Sequence, residues 1–217
     1  MKVIVEFATV QHLQQAEFIC NLIAEAAKVR GTGIALRKPE YIREKINQGN
    51  AVIAFTENLV VGFCYIETWN HGMYVVNSGL VVHPDFRKTG LARRIKEKIF
   101  SLSKDKYPNS KIFGITTSLA VMKINSDLGY KPVTFSELTR EKQFWNGCKS
   151  CPNYDILTRT NQSHCLCTGM LYTPLKKPVR LKEDNTHRWD RFKRFMKLHK
   201  IKIGRKVGLS RNKKIKS

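Results

Sequence analysis

The stretch Ser78-Gly-Leu-Val-Val-His-Pro-Asp-Phe-Arg-Lys-Thr-Gly-Leu-Ala92 constrains this chain more than any other. An apolar strand runs into a turn at His83-Pro84-Asp85 and, past Gly90, opens a helix on which Ile95 and Ile99 share one face. A strand that hands over to a helix through a glycine turn leaves several backbone N–H groups unpaired at the helix start, where the helix dipole adds partial positive charge. Arg87 and Lys88 bring two full charges to the same turn, and Gly90 lets the backbone approach a ligand closely. The chemistry this favours is a diphosphate held by backbone amides. The competing reading is an ordinary surface turn between strand and helix.

The rest of the chain supplies the surrounding elements. Met1 to Phe7 alternates apolar and charged residues as an edge strand does. Gln11 to Arg30 carries Leu13, Ala16, Ile19, Cys20, Ile23 and Ala27 at helical spacing and stops at Gly31 and Gly33. A short helix follows from Pro39 to Gly49, and Ala51 to Thr56 with Leu59 to Glu67 reads as a hairpin turning at Glu57-Asn58. Met73 to Val82 is the strand that feeds the glycine turn, and Leu91 to Leu102 is the helix that leaves it. Ile112 to Thr117, Leu119 to Leu128 and Val133 to Leu138 add a strand, a helix and a strand. The order β, α, α, β, β, β, α, β, α, β, without internal repeat, predicts an α/β chain. At 217 residues it has room for one domain with its own core and an extension, not for a second full-sized enzyme domain.

Arg87-Lys-Thr-Gly-Leu-Ala92 matches the pattern of Arg or Gln, two residues, Gly, one residue, then Gly or Ala. The whole stretch resembles the coenzyme A signature of the GNAT superfamily, the GCN5-related N-acetyltransferases, and the order of elements over residues 1–138 is similar to that family's. The resemblance implies a mixed sheet that splays open between the strand at Met73 to Val82 and the one at Ile112 to Thr117, flanked by helices. It also implies acetyl-CoA or another acyl-CoA as the acyl donor. The pantetheine arm would pair with the backbone of Leu80, Val81 and Val82, and the diphosphate with Arg87, Lys88, Thr89, Gly90, Leu91 and Ala92. The implied reaction is direct acyl transfer to a primary amine.

Such a transfer needs a neutral amine, a proton acceptor and a donor for the departing thiolate. Family members often supply the donor as a tyrosine shortly before a Leu-Gly-Phe ending. Here the ending is Leu128-Gly129-Tyr130 and the matching position is Asn125, which can hydrogen-bond but cannot act as an acid. The family's frequent asparagine at the start of that helix is Ser118 here. Ser118, Ser126, Tyr154 or water are the alternatives. Glu67 stands where related enzymes place a proton-accepting carboxylate, and its other reading is a charged residue that closes a strand. His71 falls in a turn, and His83 before Pro84 reads as a turn cap.

The stretch from Ala24 to Ala51, with Leu36-Arg37-Lys38-Pro39 before a helix, is similar to the acyltransferase domain of N-acetylglutamate synthases. By that likeness Arg37 and Lys38 face the carboxylates of an acidic amino acid such as glutamate, a role suited to a guanidinium fork. A solvated basic loop is the alternative. The region Cys148 to Tyr172 resembles the tail of acyltransferases associated with bacterial arginine biosynthesis, where the acyl group is succinyl in some pathways.

Of six cysteines, Cys20 and Cys64 lie in apolar patterns and read as core. The other four form two pairs, Cys148-Lys-Ser-Cys151 and Cys165-Leu-Cys167, a spacing suited to a structural zinc site in a stretch without strong apolar period. Simple packing of Cys165 and Cys167 along a strand is the other reading.

Charge is uneven. Residues 176–217 hold 17 basic and 3 acidic residues against 22 and 14 in the 175 before them, within a total of +22. The chain therefore divides into an acyltransferase domain over 1–140, a cysteine-bearing segment over 141–175 that completes or extends it, and a basic tail over 176–217. In the tail, Trp189, Phe192, Phe195, Met196 and His199 share a helical face among arginines and lysines, so nucleic-acid or ribosome binding is the rival reading to small-amine acylation. The expected partners are acyl-CoA and a small amine, with a homodimer allowed. No apolar run suits a membrane span, and Met1-Lys2-Val3 with Glu6 lacks a signal-peptide layout, which predicts a soluble cytoplasmic protein. No Walker loop or Gly-x-Ser-x-Gly motif supports a kinase or hydrolase.

Overall fold

Seven strands form one sheet in the order β1-β2-β3-β4-β5-β7-β6 in the computed structural model, which describes residues 2–31, 35–57, 59–175 and 193–195. They are β1 (Ile4–Phe7), β2 (Ala51–Phe55), β3 (Val60–Trp69), β4 (Tyr74–Val82), β5 (Lys111–Thr116), β6 (Lys131–Val133) and β7 (Thr168–Tyr172). The helices are α1 (Ala16–Arg30), α2 (Pro39–Asn47), α3 (Leu91–Lys106), α4 (Leu119–Asp127), α5 (Lys142–Asn146) and α6 (Tyr154–Arg159). Neighbouring strands are antiparallel except β4 and β5, which α3 joins as a parallel crossover. The sheet and these helices belong to the first of two units, Met1–Leu175 and Lys176–Ser217. Of the second unit only the helical residues 193–195 are described, so most of the expected basic helix lies outside the described residues. Among the described residues no helix is long and apolar enough to cross a membrane.

The strand period of two sends alternate residues of β2 to opposite faces. Ala51 and Ile53 pack with Ile19 and Ile23 of α1 and with Ile42 and Ile46 of α2. Val52 and Ala54 pack with Ile95 and Ile99 of α3. Helices thus cover both faces, and each buried isoleucine contributes roughly 1.5–3 kcal/mol. A third cluster joins Phe113 and Leu171 of the sheet to Phe135, Phe144, Trp145 and Leu157, and it seats the cysteine-bearing segment.

Two expected elements differ. The helix expected from Gln11 begins as a tighter 3-10 turn over Val10–Gln15 before α1 starts at Ala16. The strand expected over Val133 to Leu138 is only the end of β6, followed by a 3-10 turn at Phe135–Glu137. Phe135 and Leu138 are both buried three residues apart, which is the period of a turn rather than of a strand. The last strand among the described residues, β7, then inserts between β5 and β6 and pairs with both.

The sheet parts where β4 and β5 separate. Their pairing covers Tyr74 with Lys111, Val75 with Ile112 and Val76 with Phe113, and goes no further, while β5 stays paired to β7 through Thr116. Beside the split, the β3–β4 register shifts between Phe63 and Tyr65, so the Gly79–Leu80 region of β4 forms a bulge. Gly79 has φ of +66°, and a Cβ there would lie 2.3 Å from the Tyr65 ring. Just ahead of the bulge the strand still alternates, so Ser78 faces the α2 side and Asn77 the α3 side. There its carbonyl oxygen accepts from the Tyr130 hydroxyl at 2.9 Å and from Lys96 Nζ at 3.3 Å, and its amide donates to Ser103 Oγ at 2.8 Å.

Lys96 is 2% exposed and also lies over the Tyr130 ring at 5.2 Å. Burial lowers its pKa to about 8, with Cys64 acting weakly the other way. The folded chain therefore holds this proton less tightly than the unfolded one, whose lysine titrates near 10.5. Below pH 8 folding carries the full cost of burying the ammonium, and the cost fades as pH climbs toward 10.5.

Two outcomes follow from this architecture. Gly79→Ala loses about 2 kcal/mol, a fall in melting temperature of about 4–8 °C by calorimetry, because strain and overlap with Tyr65 add. Lys96→Met, which leaves Asn77 its Tyr130 bond, is more stable than the parent in urea titrations at pH 7, and the advantage shrinks between pH 8 and 10.5.

Candidate active site

Beside the split lies a cavity of about 520 Å³, walled by the segment before α2, by β3, β4 and β5, and by the cysteine-bearing segment. Its polar groups sit together. Arg37 Nε donates to the Tyr65 hydroxyl at 2.6 Å and Arg37 Nη1 to the Leu36 carbonyl at 3.1 Å. The Tyr41 hydroxyl donates to Glu67 Oε1, and the Ser78 hydroxyl donates to Glu67 Oε2 at 2.6 Å. Both carboxylate oxygens therefore accept a hydroxyl proton, and the guanidinium stands close enough to balance the charge.

Local sequence explains the arrangement. Pro39 at the start of α2 fixes the chain direction there and places Tyr41 on the first turn, near the Tyr65 ring at 5.7 Å. Tyr65 and Glu67 are two apart on β3 and so share a face, and Ser78 is the register partner of Tyr65. Burial, and then the nearby Glu67 charge, push both phenols well above their ordinary range, so both stay protonated, Tyr41 donating to Glu67 and Tyr65 accepting from Arg37. Burial opposes the Arg37 charge, but Tyr65 and Glu67 more than offset it and hold the guanidinium firmly protonated.

The other walls are apolar and aromatic, with Trp69, Phe135, Phe144 and Trp145 among them. The Trp69 indole N–H is buried without a hydrogen-bond partner, a donor left over in the cavity wall. Sequence reasoning singled out Glu67, Arg37 and Lys38, and all three line this cavity. It missed Tyr41, Tyr65, Trp69 and Ser78. The i, i+2 relation of Tyr65 to Glu67 was a usable signal, whereas the Ser78 contact depends on register.

The glycine turn lies at the far end of β4. Leu80, Val81 and Val82 lead into it along the edge that β5 leaves unpaired. Arg87, Lys88 and Thr89 are exposed; Arg87 Nε donates to the Val82 carbonyl at 3.2 Å and the Thr89 hydroxyl to the Phe86 carbonyl at 2.7 Å. Gly90 is the N-cap of α3 with φ of +83°, and a Cβ there would meet nothing within 4 Å. The first amide to close within α3 is Arg94 N–H onto the Gly90 carbonyl, so those of Leu91, Ala92 and Arg93 remain open. The first turn holds no acid, although a helix start favours one. That donor set suits an anion.

Ser118 is the N-cap of α4, its Oγ accepting from Val121 N–H at 3.4 Å. Asn125 is 1% exposed, and its Oδ1 has no partner. Ser126 and His71 are exposed, His83 Nδ1 accepts from Asp85 N–H at 3.4 Å, and Tyr154 lines the cavity. Cys148, Cys151, Cys165 and Cys167 also line it, all four as free thiols. Among the described residues, no group of three or more His, Cys, Asp or Glu side chains stands ready-made to hold a metal ion. The expected four-cysteine site is thus gathered in one place but not preassembled.

A sequence profile of the Acetyltransferase (GNAT) family matches residues 13–119. No curated protein matches the chain in sequence. Among solved structures, N-acetylglutamate synthase from Neisseria gonorrhoeae, complexed with coenzyme A and N-acetyl-glutamate, aligns over 81% of this chain with TM-score 0.58 and 16% identity. This chain spans only 36% of that protein. Diaminobutyrate acetyltransferase from Paenibacillus lautus, in complex with its substrate and coenzyme A, aligns over 82% of this chain and 98% of its own, with TM-score 0.55 and 10% identity. The ribosomal-protein-S18-alanine N-acetyltransferase from Escherichia coli aligns over 83% of this chain and 99% of its own, with TM-score 0.52 and 9% identity. At such identities the likeness is one of fold. Ser118→Ala is expected to cost about 0.5–1 kcal/mol in urea unfolding through the lost cap; a turnover loss exceeding that stability loss would put the hydroxyl in the chemistry instead.

Proposed function

Because the chain belongs to the GNAT acetyltransferase family, a family of acyl-CoA-dependent enzymes, we propose that it transfers an acetyl or succinyl group from acyl-CoA to the amine of a small acidic amino acid such as glutamate. The observation that carries this reading is the cavity at the split of β4 from β5, where a carboxylate and a guanidinium face the same space. The fit of coenzyme A rests on the donor set itself: open amides at Leu91 to Arg93, no acid in the first turn of α3, clear space over Gly90 and an unpaired β4 edge. When bound, coenzyme A supplies the acyl group as an activated thioester.

The residues of this chain then divide the work. Leu80, Val81 and Val82 offer main-chain N–H and C=O groups to an amide-bearing arm, as an edge strand does to a peptide. Arg87, Lys88, Thr89, Gly90, Leu91 and Ala92 hold the diphosphate. Arg37 already spends Nε and Nη1 on the protein and turns its remaining edge to an acceptor carboxylate, and Lys38 adds charge at the cavity rim. Glu67 takes the proton that the amine loses as the N–C bond forms and the C–S bond breaks, either directly or through the Ser78 hydroxyl. Asn125 has no acidic proton, so it serves the departing sulfur only as a hydrogen-bond partner, and solvent reprotonates a thiolate whose ordinary pKa is ~8.5.

An acceptor panel with acetyl- and succinyl-CoA, read by thiol release, is expected to give turnover with an acidic amino acid. Arg37→Ala raises the acceptor KM at least ~10-fold and leaves the acyl-CoA KM near its starting value, the loss of a charge-assisted pair. Arg87→Glu weakens coenzyme A in calorimetry by a similar factor. No heat with coenzyme A and no thiol release with any amine defeats the reading.

A further inference from the structure

Cys148 and Cys151 bracket the turn after α5, where the Cys151 N–H donates to the Cys148 carbonyl at 2.9 Å and keeps both side chains on one short turn. Cys165 and Cys167 lie just before β7, which is anchored on both sides by β5 and β6. Asn153 links the two stretches: its carbonyl oxygen lies 3.9 Å from Cys165 Sγ and its amide 4.0 Å from Cys151 Sγ. Cys148, Cys165 and Cys167 pack on the same aromatic cluster, and all four thiols are half-buried on one cavity wall.

The aromatic cluster seats this wall through Phe144, Trp145 and Leu157, but its secondary structure is short. Between β6 and β7 the chain has two helices of 5 and 6 residues joined by turns, and Asn161 and Gln162 both take positive φ. Neither helix is long enough to be stable by itself. Four soft ligands from two stretches, with no disulfide among them, are what a tetrahedral cross-link requires.

We propose that Cys148, Cys151, Cys165 and Cys167 bind one zinc ion that fastens the cysteine-bearing segment to the sheet beside β7. Zinc replaces four thiol protons, which leave to solvent, and the tetrathiolate centre carries a net charge of about −2. Because the side chains do not yet share a common point, binding draws the sulfurs inward to ~2.3 Å from the metal. A cross-link within either pair spans three residues or fewer and constrains little, whereas the metal ties two stretches across the wall. The identity of the acyl acceptor has no part in this inference.

The untagged full-length chain, grown with zinc and desalted, is expected to carry about one zinc per chain by mass spectrometry. Cobalt exchanged into the site gives the visible bands and thiolate charge-transfer absorption of tetrahedral sulfur ligation. Cys148→Ser with Cys151→Ser abolishes both, as does Cys165→Ser with Cys167→Ser, whereas Cys20→Ser retains them. The cobalt spectrum of the parent chain decides the matter even where a variant fails to fold. Absence of metal with four thiols open to a thiol reagent in the folded protein overturns the proposal. So does a mass lower by two protons per bridge, which marks disulfides, or a brown iron–sulfur chromophore.

Discussion

Ladder pairing between β4 and β5 stops at Val76 and Phe113, and most of what the molecule offers chemically depends on that interruption. A parallel pair that parts while β5 stays bonded to β7 leaves one edge of β4 with its N–H and C=O groups unspent. The same place carries the bulge at Gly79, which Tyr65 fills from below with its ring. Regular register from Trp69–Tyr74 up to Tyr65–Ser78 sets Ser78 on the face of Glu67, and without the split the cavity would close into ordinary sheet. The core holds the opening apart: Phe113 and Val76 sit in the aromatic cluster below the cysteine-bearing segment, whereas Ile95 and Ile99 tie α3 beneath β2 and β3.

Two charged sites of different character flank this opening. In the cavity, the Glu67 carboxylate is held by two hydroxyls and faced by a half-buried guanidinium that is itself anchored on Tyr65, which fixes the orientation of both charges. At the helix start, α3 offers open amides and no acid of its own in the first turn, although Arg93 there is paired with Asp127 of α4. Lys96 is a third case. It is buried against Asn77 and Tyr130 with no carboxylate among its hydrogen-bond partners, so its charge is a standing cost to the fold. Its Asn77 contact marks the first residue of β4 past the last paired position.

The proteins of similar fold act on glutamate, on diaminobutyrate and on a ribosomal protein, according to their names. Proteins that share a fold thus differ in what they act on, and the fold by itself names no acceptor. Here the cavity is lined by Arg37, Tyr41 and Trp69, together with a wall contributed by the cysteine-bearing segment, so that segment shapes the cavity as well as completing the fold.

Local pattern alone revealed much of this. The apolar period of α1 and α3, the strand that ends at His83-Pro84 and the glycine that opens α3 are all short-range features, set by residues within a turn or two of one another, so they can be read directly from sequence. Glu67 was visible as the charge that closes an apolar strand, whereas Arg37 stood out only through the likeness of Leu36-Arg37-Lys38-Pro39 to N-acetylglutamate synthases. Contacts between distant segments were decided only by tertiary structure. The insertion of β7 between β5 and β6, the turn that replaces a strand at Phe135, the pairing of Ser78 with Glu67 and the gathering of four cysteines 14 to 19 residues apart on one wall all follow from register and packing. A shift of one residue in a strand exchanges its faces, and no local period reports that shift, so these features exist only once the sheet is assembled.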